Sequence, residues 1–183
     1  MNKGINREVI IEILDMLEDL DYFIFSGFAI YLYTKGKREF SDIDILLRYK
    51  DLKKLASRLG GKIEKKRIEK GEFITTDYFL EVGFKGQEVE AISIIPENKN
   101  QGEVFNKQFL NRKKKNFQGR DVFLTPKEGI LVHKAILGRE KDIKDLELLK
   151  GEIDKKLLKE IAKLRGEYEK VIKRLNKVGY NIS

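Results

Sequence analysis

The chain has 183 residues, of which 41% are apolar and 37% charged, and its formal net charge is +8. That is enough for one domain, or one domain with a small extension, and the basic balance favours polyanionic partners without identifying one. The absence of cysteine excludes disulfides, Cys-ligated zinc and thiol catalysis, and the single histidine, His133, argues against a His-based zinc site or a Ser-His-Asp triad.

Asn6 can cap a first helix, along which Ile10, Ile13, Leu14, Leu17 and Leu20 recur on one face. Tyr22–Phe25 reads as a short buried strand. Ser26-Gly27 opens a second helix, Phe28–Tyr33, and Thr34–Ser41 is a polar loop. A strand over Asp42–Tyr49 and a helix over Asp51–Leu59 follow, the helix ended by Gly60-Gly61. Lys62–Glu69 is a loosely alternating strand. Phe73–Phe84 and Glu88–Ile95 flank a Lys85-Gly86-Gln87 turn. Pro96–Gly102 reads as a loop and the best boundary between a catalytic core, 1–100, and a mainly helical region, 101–183. Gly119 turns a small hairpin that ends at Leu124. Thr125, Pro126 and Glu128 have the spacing of a capping box. Glu140–Lys150 is a short helix and Asp154–Lys177 a long one, its apolar seam suited to packing on the core or to a homodimer. The fold class expected is α/β (α+β), a mixed sheet flanked by helices with a helical C-terminal part.

No segment is apolar for the length a bilayer requires, and the first residues run into an amphipathic helix rather than a secretory signal, so a cytoplasmic protein is expected. Abundant Lys, Glu, Arg and Ile is the composition of a heat-adapted source.

The chemistry concentrates in three places. Asp42 and Asp44 open an apolar strand and, two residues apart, point to the same face. Asp44 interrupts a run of β-branched residues, where an unpaired carboxylate is expensive. Capping by Asp42 and pairing of Asp44 with Arg38 is the bland alternative. Glu90 is a second acid inside a β-branched strand, with Glu88 and Glu81 as rivals. Ser26-Gly27 allows close backbone approach, and the helix start behind it favours a phosphate. Three carboxylates on neighbouring strands can hold two Mg²⁺ (or Mn²⁺) ions through hard oxygen ligands, one activating a hydroxyl, the other holding a triphosphate.

The order Ser26-Gly27-Phe28-Ala29, Arg38-x-x-Ser41-Asp42-Ile43-Asp44 and Val89-Glu90-Ala91 resembles the polymerase β-type nucleotidyltransferase superfamily. The run Thr125–Glu128, His133-Lys134 and Arg139–Leu146 resembles its small antibiotic and AbiEii-type (toxin–antitoxin) branches. The resemblance covers roughly residues 22–150. It implies a metal-dependent transfer of an NMP from an NTP to a hydroxyl, with Asp42, Asp44 and Glu90 as catalytic metal ligands. It places Ser26, Gly27, Arg38, Ser41, Lys134 and Arg139 or Lys141 on the nucleotide. Pairing of Asp142 and Asp145 with Lys134 would instead hold the helices together. Ser26 replaces the usual first glycine of the turn, Phe28 fills a position that is commonly small, and Glu90 stands where Asp is commoner.

Residues 107–120 are basic, with Phe105, Phe109 and Phe117 interleaved. Arg112–Lys115 is therefore a candidate surface for RNA or a tRNA end, and the aromatics either stack bases or belong to the core. A catalytically degenerate, antitoxin-like module that binds RNA or a partner protein is the second function expected. A glycosyltransferase, which would also use D-x-D, lacks the upstream nucleotide-sugar pattern.

Overall fold

The computed structural model describes residues 6–70, 73–96 and 99–183. Residues 1–5, 71–72 and 97–98, the last pair inside the expected Pro96–Gly102 loop, lie outside it. In chain order the elements are α1 (Arg7–Asp15), β1 (Tyr22–Phe25), α2 (Ser26–Tyr33), β2 (Asp42–Leu47), α3 (Tyr49–Leu59), β3 (Ile63–Lys70), β4 (Phe73–Phe84), β5 (Gln87–Pro96) and α4 (Lys99–Leu110). Then come β6 (Lys113–Phe117), β7 (Arg120–Leu124), α5 (Lys127–Leu137), α6 (Glu140–Leu148), α7 (Lys155–Leu164) and α8 (Tyr168–Val178).

The strands form one mixed sheet in the order β3-β4-β5-β2-β1-β7-β6. β1 runs antiparallel to β2 and parallel to β7, and β2 runs parallel to β5. Two hairpins bracket the sheet. Lys85-Gly86 and Gln118-Gly119 both take positive φ at each residue, the backbone of a two-residue turn whose twist matches its strands. Ile43, Ile45 and Leu47 point to one face and are wholly buried. α2 packs on β1 and β2, α3 on β4 and β5, and α1 on β7. On the opposite face α4 lays Phe105 and Phe109 against Phe23 of β1, with ring centroids 5.8 and 6.2 Å apart.

Four expectations are corrected. Helix α4 starts at Lys99, inside the stretch expected to be loop, because its Val104, Phe105 and Phe109 find an apolar face to cover. The capping box does not form. Thr125 donates its hydroxyl to Gln108 Oε1 at 2.9 Å, and Glu128 accepts the Asp154 N–H at 2.7 Å, so each has a tertiary partner that outcompetes the local one. The long C-terminal helix is two. Gly166, at φ +67°, breaks it, and both α7 and α8 fold back on α5. Its apolar seam is consequently spent inside the chain: Leu157, Leu158, Ile161, Val171 and Leu175 are all buried, which removes the surface proposed for a homodimer.

Candidate active site

β2 sets the site. Pairing in parallel register places Asp42 beside Glu88 and Asp44 beside Glu90 of β5, and Glu81 of β4 lies across from Glu90. Cross-strand neighbours share a face, so Asp42, Asp44, Glu88, Glu90 and Glu81 all project to the side away from Ile43 and Ile45. They differ in burial. Asp44 is 7% exposed, Asp42 and Glu90 are half-buried, and Glu81 and Glu88 are exposed.

Burial pushes the Asp44 carboxyl up to about 7, the Asp42 and Glu90 charges adding to the rise, while hydrogen bonding from Ser26 and the Lys134 charge oppose it. Glu90 is raised too, by burial first and then by Glu81 and Asp42. Mutual repulsion inside a partly desolvated set is what a hard cation relieves, and the donors are all oxygen. As the side chains stand, no group of three or more Asp, Glu, His or Cys among the described residues is gathered tightly enough to hold a metal. The donor chemistry of Asp42, Asp44 and Glu90, oxygen throughout, is nonetheless of the type a hard divalent ion takes.

Above the acids, α2 begins at Ser26. Its φ is +61°, a left-handed conformation that glycine adopts at little cost and serine does not. Gly27 has no such φ, and its need is space: a Cβ there would sit 3.1 Å from Phe40 Cβ and 3.8 Å from Asp42 Oδ1. Ser41 donates its hydroxyl to Asp42 Oδ1 at 3.3 Å, and its carbonyl accepts from Gln87 at 2.7 Å. Phe28 is buried against Phe40 and Phe117, which explains a bulky residue at that position of the turn.

The expected phosphate-binding cations are placed differently. Lys134 is 4% exposed. Its ammonium lies 2.9 Å from Asp142 Oδ1 and 2.8 Å from Asp145 Oδ2, so it clamps α5 to α6. Arg38 reaches from the α2–β2 loop to Asp145 at 2.7 Å rather than to Asp44. Arg139, half-exposed, holds Asp142 at 2.7 Å, and Asp142 in turn accepts the Arg139 backbone N–H. Lys141 and His133 are exposed. The network's far side still acts on the acids, since Lys134 is close enough to lower the Asp44 pKa.

The basic stretch is also rearranged. Arg112 stacks over Phe109 and Phe123 at 4.1 and 4.7 Å, Lys114 pairs with Asp121, Phe117 is buried, and Phe105 packs on Phe23. Phe117 belongs to the core, and Phe105 and Phe109 are half-buried against Phe23. The exposed run and interleaved Phe residues gave no sequence-level sign of which would turn inward.

This topology, an acid-x-acid strand flanked by a helix-opening turn and a parallel acid-bearing strand, is a fold shared with solved nucleotidyltransferase structures. Among solved structures, ANT(2")-Ia in complex with adenylyl-2"-tobramycin superposes with a TM-score of 0.57 at 17% identity, over 88% of this chain and 98% of that one. The Thermotoga maritima protein TM1012, named a nucleotidyltransferase, gives 0.54 at 15% identity, over 76% of this chain and 88% of its own. No family model matches the sequence, and no curated protein does. Among the described residues, no helix is long and apolar enough to cross a membrane.

Proposed function

We propose that the protein transfers a nucleoside monophosphate from an NTP to a hydroxyl acceptor and releases pyrophosphate. One observation carries this reading: Asp42, Asp44 and Glu90 share one face on adjacent strands, beneath the N-terminal turn of α2. Asp42, Asp44 and Glu90 would hold Mg²⁺ or Mn²⁺. When bound, the ions supply Lewis-acid activation of the acceptor hydroxyl and neutralise the triphosphate. The acceptor oxygen bonds to the α-phosphorus as the α–β bridging P–O bond breaks, and the electron pair leaves with pyrophosphate.

The chain's own residues have distinct tasks. Gly27 keeps the helix mouth open for the phosphates, whose charge the first turn of α2 favours. Ser26 and Ser41 restrain Asp44 and Asp42 by hydrogen bonds. Glu90, half-buried with a raised pKa, is the acid suited to accept the acceptor's proton. Arg38, Arg139 and Lys141 are the expected cations with enough exposure to meet the nucleotide, and Lys134 positions Arg139 and Arg38 through Asp142 and Asp145.

The test is label transfer. Purified protein is incubated with Mg²⁺ or Mn²⁺, each α-labelled NTP, and RNA, protein or small-molecule acceptors, with Asp44→Asn in parallel. Label that moves in the wild type and not in the variant supports the reading. Transfer that persists in Asp44→Asn refutes it. A second reading, a retired transferase that serves as a binding module, draws on the serine at positive φ and the ungathered acids. Absence of both NTP and metal binding by calorimetry would favour it.

A further inference from the structure

The structure removes most of the cations first expected to meet RNA and leaves others. Lys113 and Lys115 are exposed on β6, an edge strand of the sheet, and Lys35 and Lys37 are exposed on the loop after α2. None of the four has an acidic partner among the described residues. By contrast Lys114, Arg120, Lys107 and Arg58 are each paired with an acid.

The two lysine pairs are brought together by aromatic packing. Lys115 lies over the Tyr33 ring at 5.9 Å. Tyr33 donates its hydroxyl to the Thr125 carbonyl at 2.8 Å, which pins the end of α2 to the end of β7. Gly36, between Lys35 and Lys37, sits against the Tyr31 ring, and Tyr31 faces Phe117 of β6 at 6.5 Å. The α2–β2 loop and the edge strand are therefore tied to each other through Tyr31 and Tyr33, and each carries two exposed ammonium groups without an acidic partner among the described residues.

Two routes along the chain and the sheet lead from this surface toward the acids. Lys113 stands opposite Leu124, Leu124 beside Ile24 and Ile24 beside Ile45, so three strand spacings, about 14 Å, separate Lys113 from β2 at the level of Asp44. The loop that carries Lys35 and Lys37 continues through Arg38 and Ser41 directly into Asp42. Lys113 is on the side of the sheet opposite Asp44, so a strand lying on it must pass over the sheet's end at Thr125 to reach the acids.

We propose that this surface, Lys35 and Lys37 on the loop with Lys113 and Lys115 on the edge strand and Tyr33 beside Lys115, docks a single strand of RNA and delivers its end to the carboxylates. Four lysines spaced along an edge match a run of phosphodiesters, and the tyrosine offers a face for a base. RNA is the polyanion that carries hydroxyls along its whole length. Its use as acceptor rests on the transferase reading; its binding does not.

The test uses a fluorescein-labelled twelve-residue oligouridylate, read by anisotropy without NTP or metal, between 50 and 200 mM KCl. Four phosphate contacts give a log–log salt slope of about −2.8, close to a fiftyfold loss of affinity over that range. K113Q/K115Q and K35Q/K37Q should each lower affinity about tenfold at 100 mM and roughly halve the slope. K62Q/K65Q, which removes two exposed lysines on the opposite wing, should stay within threefold of wild type. Equal losses in all three variants would reduce the effect to net charge and overturn the proposal, as would no loss in the first two. An oligodeoxythymidylate of the same length binding as tightly would overturn the assignment to RNA. Docking is read without NTP or metal and transfer by label on the wild-type protein, so failure of transfer and failure of docking are separately visible.

Discussion

Replacing Lys134 by Met tests whether this lysine is a structural clamp. Its ammonium is the shared partner of Asp142 and Asp145, which are 0% and 1% exposed. Removing one side of a buried pair costs about 3–5 kcal/mol because the other charge stays behind. Arg139 and Arg38 still reach one oxygen set each, which sets the expectation near the lower end, about 3 kcal/mol. At this chain length that lowers Tm by about 6–12 °C. Urea unfolding at unchanged m-value measures the loss, and the triple variant K134M/D142N/D145N should recover most of it. Burial alone would raise Asp142, but hydrogen bonds from Arg139 and Lys134 outweigh it and hold the carboxyl well below its usual range. Its contribution is therefore present above about pH 4 and lost as pH falls further, and K134M should show a shallower acid limb. A loss under about 1 kcal/mol, or a triple variant no more stable than the single one, would refute the reasoning.

Three further outcomes follow from the site. Asp44 has its folded pKa raised from 3.8 to about 7, so folding takes up a proton between those values and wild-type stability falls as pH rises through that window. Asp44→Asn escapes this cost, and its advantage, measured by urea melts, should grow from pH 4 to 7, reach roughly 2–4 kcal/mol and shrink when Mg²⁺ is added. Ser26→Gly relieves the left-handed backbone and should raise stability by up to about 1 kcal/mol; it also deprives Asp44 of a hydrogen bond, so metal affinity by calorimetry should need a higher pH. Gly27→Ala forces a Cβ toward Phe40 and Asp42, and NTP affinity should fall at least tenfold while thermal melts show a loss of about 1–3 kcal/mol.

The acid-x-acid strand, the turn before it and the parallel acid were legible in the sequence because each breaks a local rule: charges inside β-branched runs, and a small residue at a strand end. What escaped was decided by tertiary competition. Thr125 and Glu128 have the right spacing to cap α5 and are claimed by Gln108 and the Asp154 N–H instead. The periodicity of 154–177 continues through Gly166, so only the φ of that glycine reveals the break. For Lys134 the sequence leaves two uses open, the nucleotide phosphates or pairing with Asp142 and Asp145, eight and eleven residues on, and the structure shows the pairing. What helical periodicity does not show is that the trio is buried, since all three positions are polar.

The pairing of β1 has a consequence for biosynthesis. Its one neighbour, β2, follows almost at once, but its other neighbour is β7, and Ile24 meets Leu124 a hundred residues later. A nascent chain that has emerged only through β5 must hold one flank of β1 bare, with Phe23 and Ile24 on it, until the second hairpin arrives. That exposed edge is a template for pairing with other chains. α4, whose Phe105 and Phe109 pack on Phe23 and which emerges just before β6 and β7, covers an apolar side chain of that strand, while the edge itself stays open until β7 pairs with it. The order of the strands along the chain thus sets how long that edge waits: β1 is among the first elements made, and the hairpin that closes it comes a hundred residues later.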